Sequence, residues 1–565
     1  MSDQPGHHDN EGTTAGGSAE RARAIDRRDF LRGGATAAAG VAVAQAGAGL
    51  DMVTAAGKTR PRPVRGARFR QGVASGEPSP RAITLWTKLS DVERRGTLTL
   101  EVARDPSFTR VVERRRITAR RRFDFAVKQR VGGLNPDERY WYRFEAGDRT
   151  SPVGTFKTLP PPGSRVPVRI GVFSCQAWEA GFYTAHAALA RERDLDLVVC
   201  LGDYIYERMF YDEDPVRTDN LGKNGDGEVQ TLREYRDKYA LYHSDRNLRA
   251  LRANHAILGI WDDHEVEDNY AGKLPGDATE DRRLPFLRRR RNGYRAFFEH
   301  MPFTHAGAAQ RKRDRFRIYR SVRLGRNAEL LLLDQRQYRD DQPCGDELPP
   351  APPCSEEELN DPDRTFLGRR QKRWLKRRLE ASNATWKLIA NQAMAMSVDV
   401  PATNPVNMDQ WDGYAYERED ILAHVRDRGI QDVSFLTGDI HTFFAGVVSP
   451  TGRQTVASTP AAVATEFVTG SVTSLGIPET VAAISGAPLP PELLAVLADG
   501  GAIQSNNPHI KYADTEHRGY GIIEATRDEL RVRLRAPETT LEPRSATSTL
   551  ASFVVQSGTP AVEPA

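Results

Sequence analysis

The chain has 565 residues, of which 39% are hydrophobic and 28% are charged, and its formal net charge is +4 at pH 7. This composition is typical of a globular protein and argues against a largely disordered or membrane-spanning one. This length is greater than one compact hydrophobic core usually accommodates, so we expect at least two domains. No interior segment approaches the roughly 18 to 20 consecutive apolar residues of a membrane helix, so no stable membrane span is predicted.

The amino terminus has the layout of an export signal. Arg27 and Arg28 precede a weakly apolar stretch rich in Ala and Gly, residues 33–50. Charged, then apolar, then small residues are typical of a secretory leader, and the paired arginines resemble a twin-arginine signal, which exports folded proteins. The alternative is an accidental basic patch ahead of a flexible linker. We predict that residues 1–56 are signal peptide and linker, that the twin-arginine export machinery is a partner, and that the protein is secreted.

Residues 67–158 consist of short alternating segments with turn residues between them. Segments 82–87, 96–102 and 140–145 alternate apolar and polar side chains at a spacing near ten residues. This pattern predicts a small all-β sandwich of fibronectin or immunoglobulin type. The sequence 134–142 looks like the pre-strand turn and tyrosine-rich strand of a fibronectin-type module.

From residue 159 the pattern changes to strand, helix, strand. Short runs rich in Val, Ile and Leu predict buried strands, and segments 284–300 and 366–381 predict helices. We expect an α/β catalytic domain over residues 159–536. Residues 537–565 are expected to form a flexible tail.

Two of the four cysteines, Cys344 and Cys354, flank a proline-rich loop. Outside the cytoplasm such a pair indicates a disulfide, and the alternative is two free surface thiols.

Arginine runs at 114–116, 120–122 and 288–291 are interleaved with acids. They are typical of solvated surfaces, so no specific nucleic-acid partner is predicted.

Several predicted buried strands end in polar clusters. Because ligands placed after the carboxyl ends of strands meet at one edge of a sheet, these clusters predict a single metal site. The candidate residues are Cys175, Asp203 with Tyr206, the group Asp262 to Glu265, Arg336, and Asp439 with His441.

The residue types indicate the chemistry. A phenol such as Tyr206 is a poor ligand until a strongly charged ion lowers its pKa, and the thiol of Cys175 adds to the preference for a ferric-type centre. Two ions bridged by Asp203 and a hydroxide would supply a nucleophile for in-line attack on phosphorus. His264 fits a general acid, or a transition-state hydrogen-bond donor, for the leaving oxygen. Arg336 fits a bidentate phosphate clamp, and the alternative is a surface salt bridge.

Together these residues carry a family resemblance. The ordered motifs resemble those of PhoD-like alkaline phosphatases, in the metallophosphatase superfamily, over roughly residues 67 to 535. They are Cys175 after a strand, Gly202 to Glu207, Trp261 to Glu265, Asp334 to Arg339, Ala390 to Gln392, and Thr437 to His441.

The resemblance implies a fold and a ligand set. The fold would be α/β (α+β), a calcineurin-like metallophosphatase core of four-layer β-sandwich type flanked by helices, behind the small all-β domain. One Fe(III) would be held by Cys175, Asp203, Tyr206 and His441. Calcium, Ca(II), would be bridged by Asp203 and would take further oxygen ligands, namely Asp263, Asn391 and Asp439.

The expected function is a secreted alkaline phosphatase or phosphodiesterase that hydrolyses small phosphoester substrates by attack of a metal-activated hydroxide on phosphorus. Two alternatives stay open. The first is a phospholipase D-like phosphodiesterase acting on lipid head groups. The second is a catalytically silent secreted binding protein.

Overall fold

A computed structural model describes residues 62–210, 215–276, 281–303, 316–345, 354–399, 407–451, 461–479 and 500–565. The predicted export signal, with Arg27 and Arg28, lies outside these residues. Within the described ranges no helix is long and apolar enough to cross a membrane.

The amino-terminal segment is entirely β-structure apart from one short 3-10 turn, in agreement with its alternating pattern. Its strands are β1 (Val73–Ser79), β2 (Ala82–Lys88), β3 (Gly96–Ala103), β4 (Val111–Ala119), β5 (Ala126–Gly132), β6 (Arg139–Ala146), β7 (Arg149–Thr150) and β8 (Gly154–Lys157). In β6 the burial alternates residue by residue, because successive side chains point to opposite faces of a sheet.

The expected separation of this segment as an independent sandwich is only partly right. Strands β3, β4, β6, β7 and β8 form a five-stranded sheet of their own. Strands β1, β2 and β5 instead extend a sheet of the following domain, because β1 pairs in parallel with β11 (Ala256–Gly259). The boundary at residue 159 therefore divides the sequence but not the hydrogen-bonded sheet.

The remaining strands complete two larger sheets. They are β9 (Val168–Phe173), β10 (Leu197–Cys200), β12 (Arg320–Leu324), β13 (Ala328–Leu332), β14 (Trp386–Asn391), β15 (Val433–Thr437), β16 (Phe443–Val448), β17 (Ala464–Thr469), β18 (Ile510–Asp514), β19 (Tyr520–Ala525), β20 (Glu529–Pro537), β21 (Thr547–Gln556) and β22 (Glu563–Pro564). The ten-stranded sheet has the order β22-β21-β20-β19-β9-β10-β11-β1-β2-β5, and the seven-stranded sheet has the order β12-β13-β14-β15-β17-β16-β18.

Each large sheet contains parallel neighbours at its centre. Strands β9, β10 and β11 run parallel in the ten-stranded sheet, and β13, β14, β15 and β17 run parallel in the seven-stranded sheet. Their residues are almost all buried, as expected for parallel strands covered on both faces. The polar clusters that follow these strands therefore emerge at the carboxyl ends of two parallel sets.

Helices cover the sheets. They are α1 (Thr184–Leu189), α2 (Leu232–Tyr242), α3 (Arg246–Asn254), α4 (Phe286–His300), α5 (Glu356–Leu359), α6 (Gly368–Ala381), α7 (Ala415–Asp427) and α8 (Gly500–Asn506). The predicted helices at 284–300 and 366–381 correspond to α4 and α6. The amino terminus of α2 is fixed by a capping box between Thr231 and Glu234, which satisfies backbone N–H groups that a helix start leaves free.

The main core lies between the two large sheets. The largest buried apolar cluster joins Val172 and Leu258 of the ten-stranded sheet to Leu332, Leu388 and Leu436 of the seven-stranded sheet. A second cluster lies on the other face of the seven-stranded sheet, where Leu331, Ile389 and Phe435 pack with apolar side chains of α6 and α7. The alternation of Leu331 and Leu332 between the two clusters follows the two-residue period of a strand.

The prediction of a flexible tail over residues 537–565 is wrong. Strand β21 pairs antiparallel with β20 along nearly its whole length. Phe553 and Val555 are buried in the main core. These alternating apolar side chains make the segment a strand, because their burial compensates for the entropy of ordering the chain.

Cys344 and Cys354 form a disulfide, with 5.7 Å between their Cα atoms. The other two cysteines, Cys175 and Cys200, are free and buried.

Candidate metal centre

The predicted ligands converge where the two large sheets meet. Cys175 follows β9, Asp203 follows β10 and Asp263 follows β11 in the ten-stranded sheet, whereas Asp439 and His441 follow β15 in the seven-stranded sheet. The carboxyl ends of parallel strands provide such a site because their loops point to the same edge.

Three groups of side chains lie close enough to share cations. In each group the candidate ligand atoms lie within 4.8 Å of one another. The groups are Cys175, Asp203 and His441; Asp203, Asp263 and His264; and Asp262, Asp263 and Asp439. Asp203 belongs to the first two groups and Asp263 to the last two, so the three form one continuous arrangement.

The backbone at four of these residues is left-handed. The φ angles are 56° at Cys175, 51° at Asp203, 62° at Asp439 and 56° at His441. Non-glycine residues seldom adopt this region, at a cost of order 1–3 kcal/mol each, and they concentrate at functional sites. The fold therefore holds the backbone of these residues in a conformation that their own preferences oppose.

Two glycines allow the strand ends to approach. A Cβ atom on Gly202 would lie 2.5 Å from the Cβ of Asp262, and one on Gly438 would lie 2.6 Å from the Oγ of Ser174. Both contacts are too short for any larger residue. Each glycine directly precedes a candidate aspartate, Asp203 or Asp439, so the small residue brings the carboxylate to the junction.

Tyr206 and His441 occupy one side of the centre. The Oη of Tyr206 lies 3.1 Å from the Nε2 of His441 and 3.3 Å from the Oδ2 of Asp203. The Oγ of Ser474 donates to the same Oη at 2.7 Å. The Nδ1 of His441 lies 2.8 Å from the carbonyl oxygen of Leu475, so Nδ1 carries the proton and Nε2 is free to bind a metal.

His264 lies on the other side of Asp203. Its Nδ1 is 2.8 Å from the Oε2 of Glu207, and its ring stacks on that of Tyr206 with 4.0 Å between centroids. Burial alone disfavours the charged imidazolium, but Glu207, Asp263 and Asp203 more than offset this and raise the pKa of His264 well above its ordinary value. A protonated His264 held by Glu207 is the arrangement that a proton donor requires.

Arg336 lies inside the acidic cluster. Its guanidinium donates from Nη1 and Nη2 to the two carboxylate oxygens of Asp409 at 2.7 Å each, and from Nε to Asp262. Nη2 also donates to Asp439 at 3.1 Å. The fork is therefore directed at carboxylates of the site. The alternative of a surface salt bridge is wrong, because Arg336 is only 1% exposed. Its role as a phosphate clamp stays a prediction.

Asn391 lies at the end of β14 with its amide ordered by neighbours. Its Oδ1 accepts from the indole N–H of Trp411 at 3.1 Å, and its Nδ2 donates to the Oγ1 of Thr437 at 3.0 Å. The carbonyl oxygen retains a second lone pair. Its role as a calcium ligand stays a prediction.

Glu265 joins the two strand-end loops. Its carboxylate accepts the backbone N–H groups of Tyr204 at 2.8 Å, Asp262 at 2.8 Å and Asp203 at 3.2 Å. Asp203 follows β10 and Asp262 follows β11, so one buried side chain fixes the spacing of both candidate ligand turns.

The charges of the cluster indicate that it holds cations. Burial raises the pKa of Asp203 and of Asp262 well above the ordinary value, and it also raises the pKa of Asp439. The Oδ1 of Asp203 is buried and has no hydrogen-bond partner among the described residues. Burial and nearby Asp203 also raise the pKa of Cys175 well above its usual range. Such groups ionise at neutral pH when a cation lies against them, so this donor set fits bound metal ions.

Sequence reasoning missed several residues of the centre. Asp409 and Gln410 precede a 3-10 turn (Trp411–Tyr414) rather than following a strand, so they lacked the strand-end signal. Gln410 donates to Asp439, and Arg339 donates to Asp409 at 2.6 Å. Ser474 follows β17, and a strand-end search extended to hydroxyl side chains would have found it.

Comparisons with known proteins agree with the resemblance in the motifs. The family model described as PhoD-like phosphatase matches residues 170–534, and the model for the N-terminal domain of PhoD-like phosphatases matches residues 54–160. Alkaline phosphatase D of Bacillus subtilis (strain 168) is 36% identical over 549 residues, which cover 94% of this chain and 88% of the relative. A solved structure described as "Structure of PhoD" has a TM-score of 0.76 and 33% identity, and the match covers 88% of this chain and 92% of that chain. The chain therefore belongs to the PhoD-like phosphatase family and is a phosphoric ester hydrolase.

Proposed function

We propose that the protein hydrolyses phosphate esters, as an alkaline phosphatase or phosphodiesterase, at a two-cation centre shared by Asp203. The observation that carries this proposal is the continuity of the three ligand groups through Asp203 and Asp263. Adjacent cation sites with a common carboxylate suit in-line displacement at phosphorus, because both the entering and the leaving oxygen then lie near positive charge.

We assign the two positions to different ions. The thiol of Cys175, the phenol of Tyr206 and the imidazole of His441 suit Fe(III), whereas the oxygen ligands Asp263, Asn391 and Asp439 suit Ca(II). Asp203 would contact both ions. When bound, the ions would activate water as the nucleophile and stabilise the charge that develops on the phosphoryl oxygens.

The side chains have separate tasks. His264 donates a proton to the leaving oxygen, and Glu207 orients its ring through Nδ1 at 2.8 Å. Arg336 keeps the carboxylates of Asp409 and Asp439 in place through hydrogen bonds from its guanidinium. An anionic phosphoester entering the centre would be attracted to this guanidinium.

We also infer the four-layer arrangement of the metallophosphatases, with helices outside two packed sheets. It is supported by the core between the ten- and seven-stranded sheets and by the separate cluster under α6 and α7.

We also propose that the protein is exported. Arg27 and Arg28, which lie outside the described ranges, would direct the folded protein through the twin-arginine machinery, and the protein would be secreted.

The experiment couples elemental analysis to a small substrate panel. The purified protein should contain iron and calcium and should hydrolyse a soluble monoester and a soluble diester, whereas chelation should abolish both activities. Asp203→Asn should lose both metals and both activities while remaining folded by circular dichroism. Full activity after both metals have been removed would contradict the proposal. Faster hydrolysis of a choline phospholipid than of either soluble ester would favour the lipid-directed alternative.

A further inference from the structure

A groove rich in arginine lies outside the metal centre. It has a volume of about 360 Å³ and is lined by Arg317, Tyr319, Arg370, Arg373, Trp374 and Arg377. Four of these six residues are arginines, and none of the six belongs to the metal-ligating groups. The groove lies between α6 and the chain leading into β12.

The helical spacing directs one face of α6 into the groove. Arg370, Arg373, Trp374 and Arg377 follow the i, i+3, i+4, i+7 pattern of a single helix face. The three arginines are therefore separated by rises of roughly 4.5 and 6 Å along the helix axis. The buried side of the helix is formed by Gln371, Leu375 and Leu379.

The two exposed flanks of α6 differ in how their charges are neutralised. On one flank Lys372 and Lys376 pair with acids of α7, at 3.3 and 2.8 Å from Asp420. On the groove flank Arg370, Arg373 and Arg377 make no ion pair with any described residue. Among the described residues, no carboxylate lines the groove. The groove thus concentrates positive charge that no described carboxylate neutralises.

Two aromatic rings line the groove beside its arginines. The rings of Tyr319 and Trp374 lie 5.1 Å apart, and the guanidinium of Arg317 lies 4.0 Å above the ring of Tyr319. Trp374 is only partly buried, so part of its indole surface faces the groove. Aromatic surface next to guanidinium groups that make no ion pair with a described residue suits a ligand that carries both planar rings and anionic groups.

We propose that this groove is a binding site for single-stranded nucleic acid, distinct from the metal centre. The arginines contact successive phosphates, because a guanidinium binds phosphate oxygens in bidentate fashion and is weakly hydrated. Trp374 stacks on an unpaired base, which is how sequence-independent single-strand sites combine charge with aromatic surface. A duplex, in which the bases are stacked inside, presents no such base to Trp374.

The binding assay uses the metal-loaded protein and a fluorescent phosphorothioate oligothymidylate of about twelve nucleotides, which spans one such site. Its sulfur-substituted backbone keeps the charge and resists hydrolysis at the metal centre. Fluorescence anisotropy is measured at several salt concentrations. The wild-type protein is expected to bind with an affinity that falls as salt rises, and absence of binding would overturn the proposal.

Two double variants separate the groove from general electrostatic attraction. Arg373→Gln/Arg377→Gln is expected to weaken binding by about tenfold or more and to lower the slope of log affinity against log salt by about 1.4, which corresponds to two phosphate contacts. Lys372→Gln/Lys376→Gln removes the same charge from the other flank of the same helix and is expected to stay within about twofold of wild type. Equal effects of the two variants would overturn the proposal.

Trp374→Ala tests the base contact. It is expected to weaken binding by about fivefold or more with an unchanged salt slope, because stacking involves no counterion release. Inorganic polyphosphate of equal charge should compete poorly. If polyphosphate competes as well as the oligonucleotide and Trp374→Ala binds normally, the site takes a polyanion without bases and the proposal is wrong. Hydrolysis of a small soluble monoester should be unchanged in all three variants. If the wild-type protein does not hydrolyse that monoester, the proposal for the metal centre fails and the proposal for the groove is unaffected.

Discussion

The phenol oxygen of Tyr206 lies 3.1 Å from the Nε2 of His441, although the two residues are 235 positions apart in the chain. Tyr206 follows β10 of the ten-stranded sheet, and His441 follows β15 of the seven-stranded sheet. The candidate centre therefore belongs to neither sheet alone. It exists because the two sheets pack with the carboxyl ends of their parallel strands at one junction.

Cys175→Ala should abolish hydrolysis and remove iron while the protein stays folded. The thiol of Cys175 belongs to the group with Asp203 and His441, so its loss removes a ligand rather than a core contact. Cys200→Ala is the matched control, because Cys200 is also free and buried but lies within β10. It should retain iron and activity. Elemental analysis and steady-state rates measure both variants, and equal iron content in the two would contradict the assignment.

His264→Gln should lower kcat roughly 100- to 10,000-fold if His264 is the proton donor. Glu207→Gln should act through the pKa of His264. Glu207 is the strongest of the carboxylates that raise this pKa, so its neutralisation should lower it. A proton donor works only below its pKa, so the alkaline limb of kcat/KM should move to lower pH. An alkaline limb at the wild-type pH would show that His264 is not the donor.

Glu265→Gln should lower both stability and metal content. The Glu265 carboxylate accepts three backbone N–H groups, from Asp203, Tyr204 and Asp262, and an amide side chain has only one acceptor oxygen. Because an unpaired buried N–H costs about 1–3 kcal/mol, we expect the free energy of unfolding to fall by about 2 kcal/mol. Denaturant unfolding and elemental analysis measure the two effects.

Glu417→Gln is the control for that change. Glu417 is also buried, and it accepts the backbone N–H of Leu367 at 2.9 Å and the hydroxyl of Thr365 at 2.6 Å, which are not candidate ligands. It should destabilise the protein by a similar amount without lowering its metal content. If both variants lose metal equally, general destabilisation explains the loss and Glu265 has no special role in spacing the ligand turns.

His255→Gln should reduce the acid sensitivity of folding. Burial lowers the pKa of His255 to about 4, against about 6.5 in an unfolded chain. Between these values the unfolded state binds more protons, so this contribution is complete above about pH 6.5 and is lost as pH falls toward 4. It amounts to roughly 2 kcal/mol between about pH 7.5 and 5. Urea unfolding at both pH values should show a smaller loss in the variant, and an equal loss would refute the prediction.

The parts of the site that the sequence predicted are those encoded by a local pattern. Asp203 and Asp439 each follow an apolar run and a glycine, and in both places the glycine permits a contact that a Cβ atom would block. The strand, the turn and the ligand then occupy a few consecutive residues. Such a unit can be recognised in the sequence without knowing which distant residues pack against it.

The parts that the sequence did not predict depend on distant contacts. Asp409 enters the cluster only because Arg336 and Arg339 bind it from another strand-end segment. The continuation of the ten-stranded sheet into the amino-terminal segment depends on the pairing of β1 with β11. The formation of strand β21, in place of the predicted flexible tail, depends on burial of Phe553 and Val555 against the core.

The sequence by itself determined the family, the strand-end ligand motifs and the residue types of the proposed iron and calcium positions. Apolar periodicity and short motifs extend over only a few consecutive residues, so they can be recognised in the sequence. Only the tertiary structure decided that Asp263 is shared between two ligand groups and that Glu207 holds His264. The same is true of the carboxylates around Arg336, which belong to Asp262, Asp409 and Asp439. These relations arise from the packing of one sheet on another, which sets distances between residues that no local pattern relates.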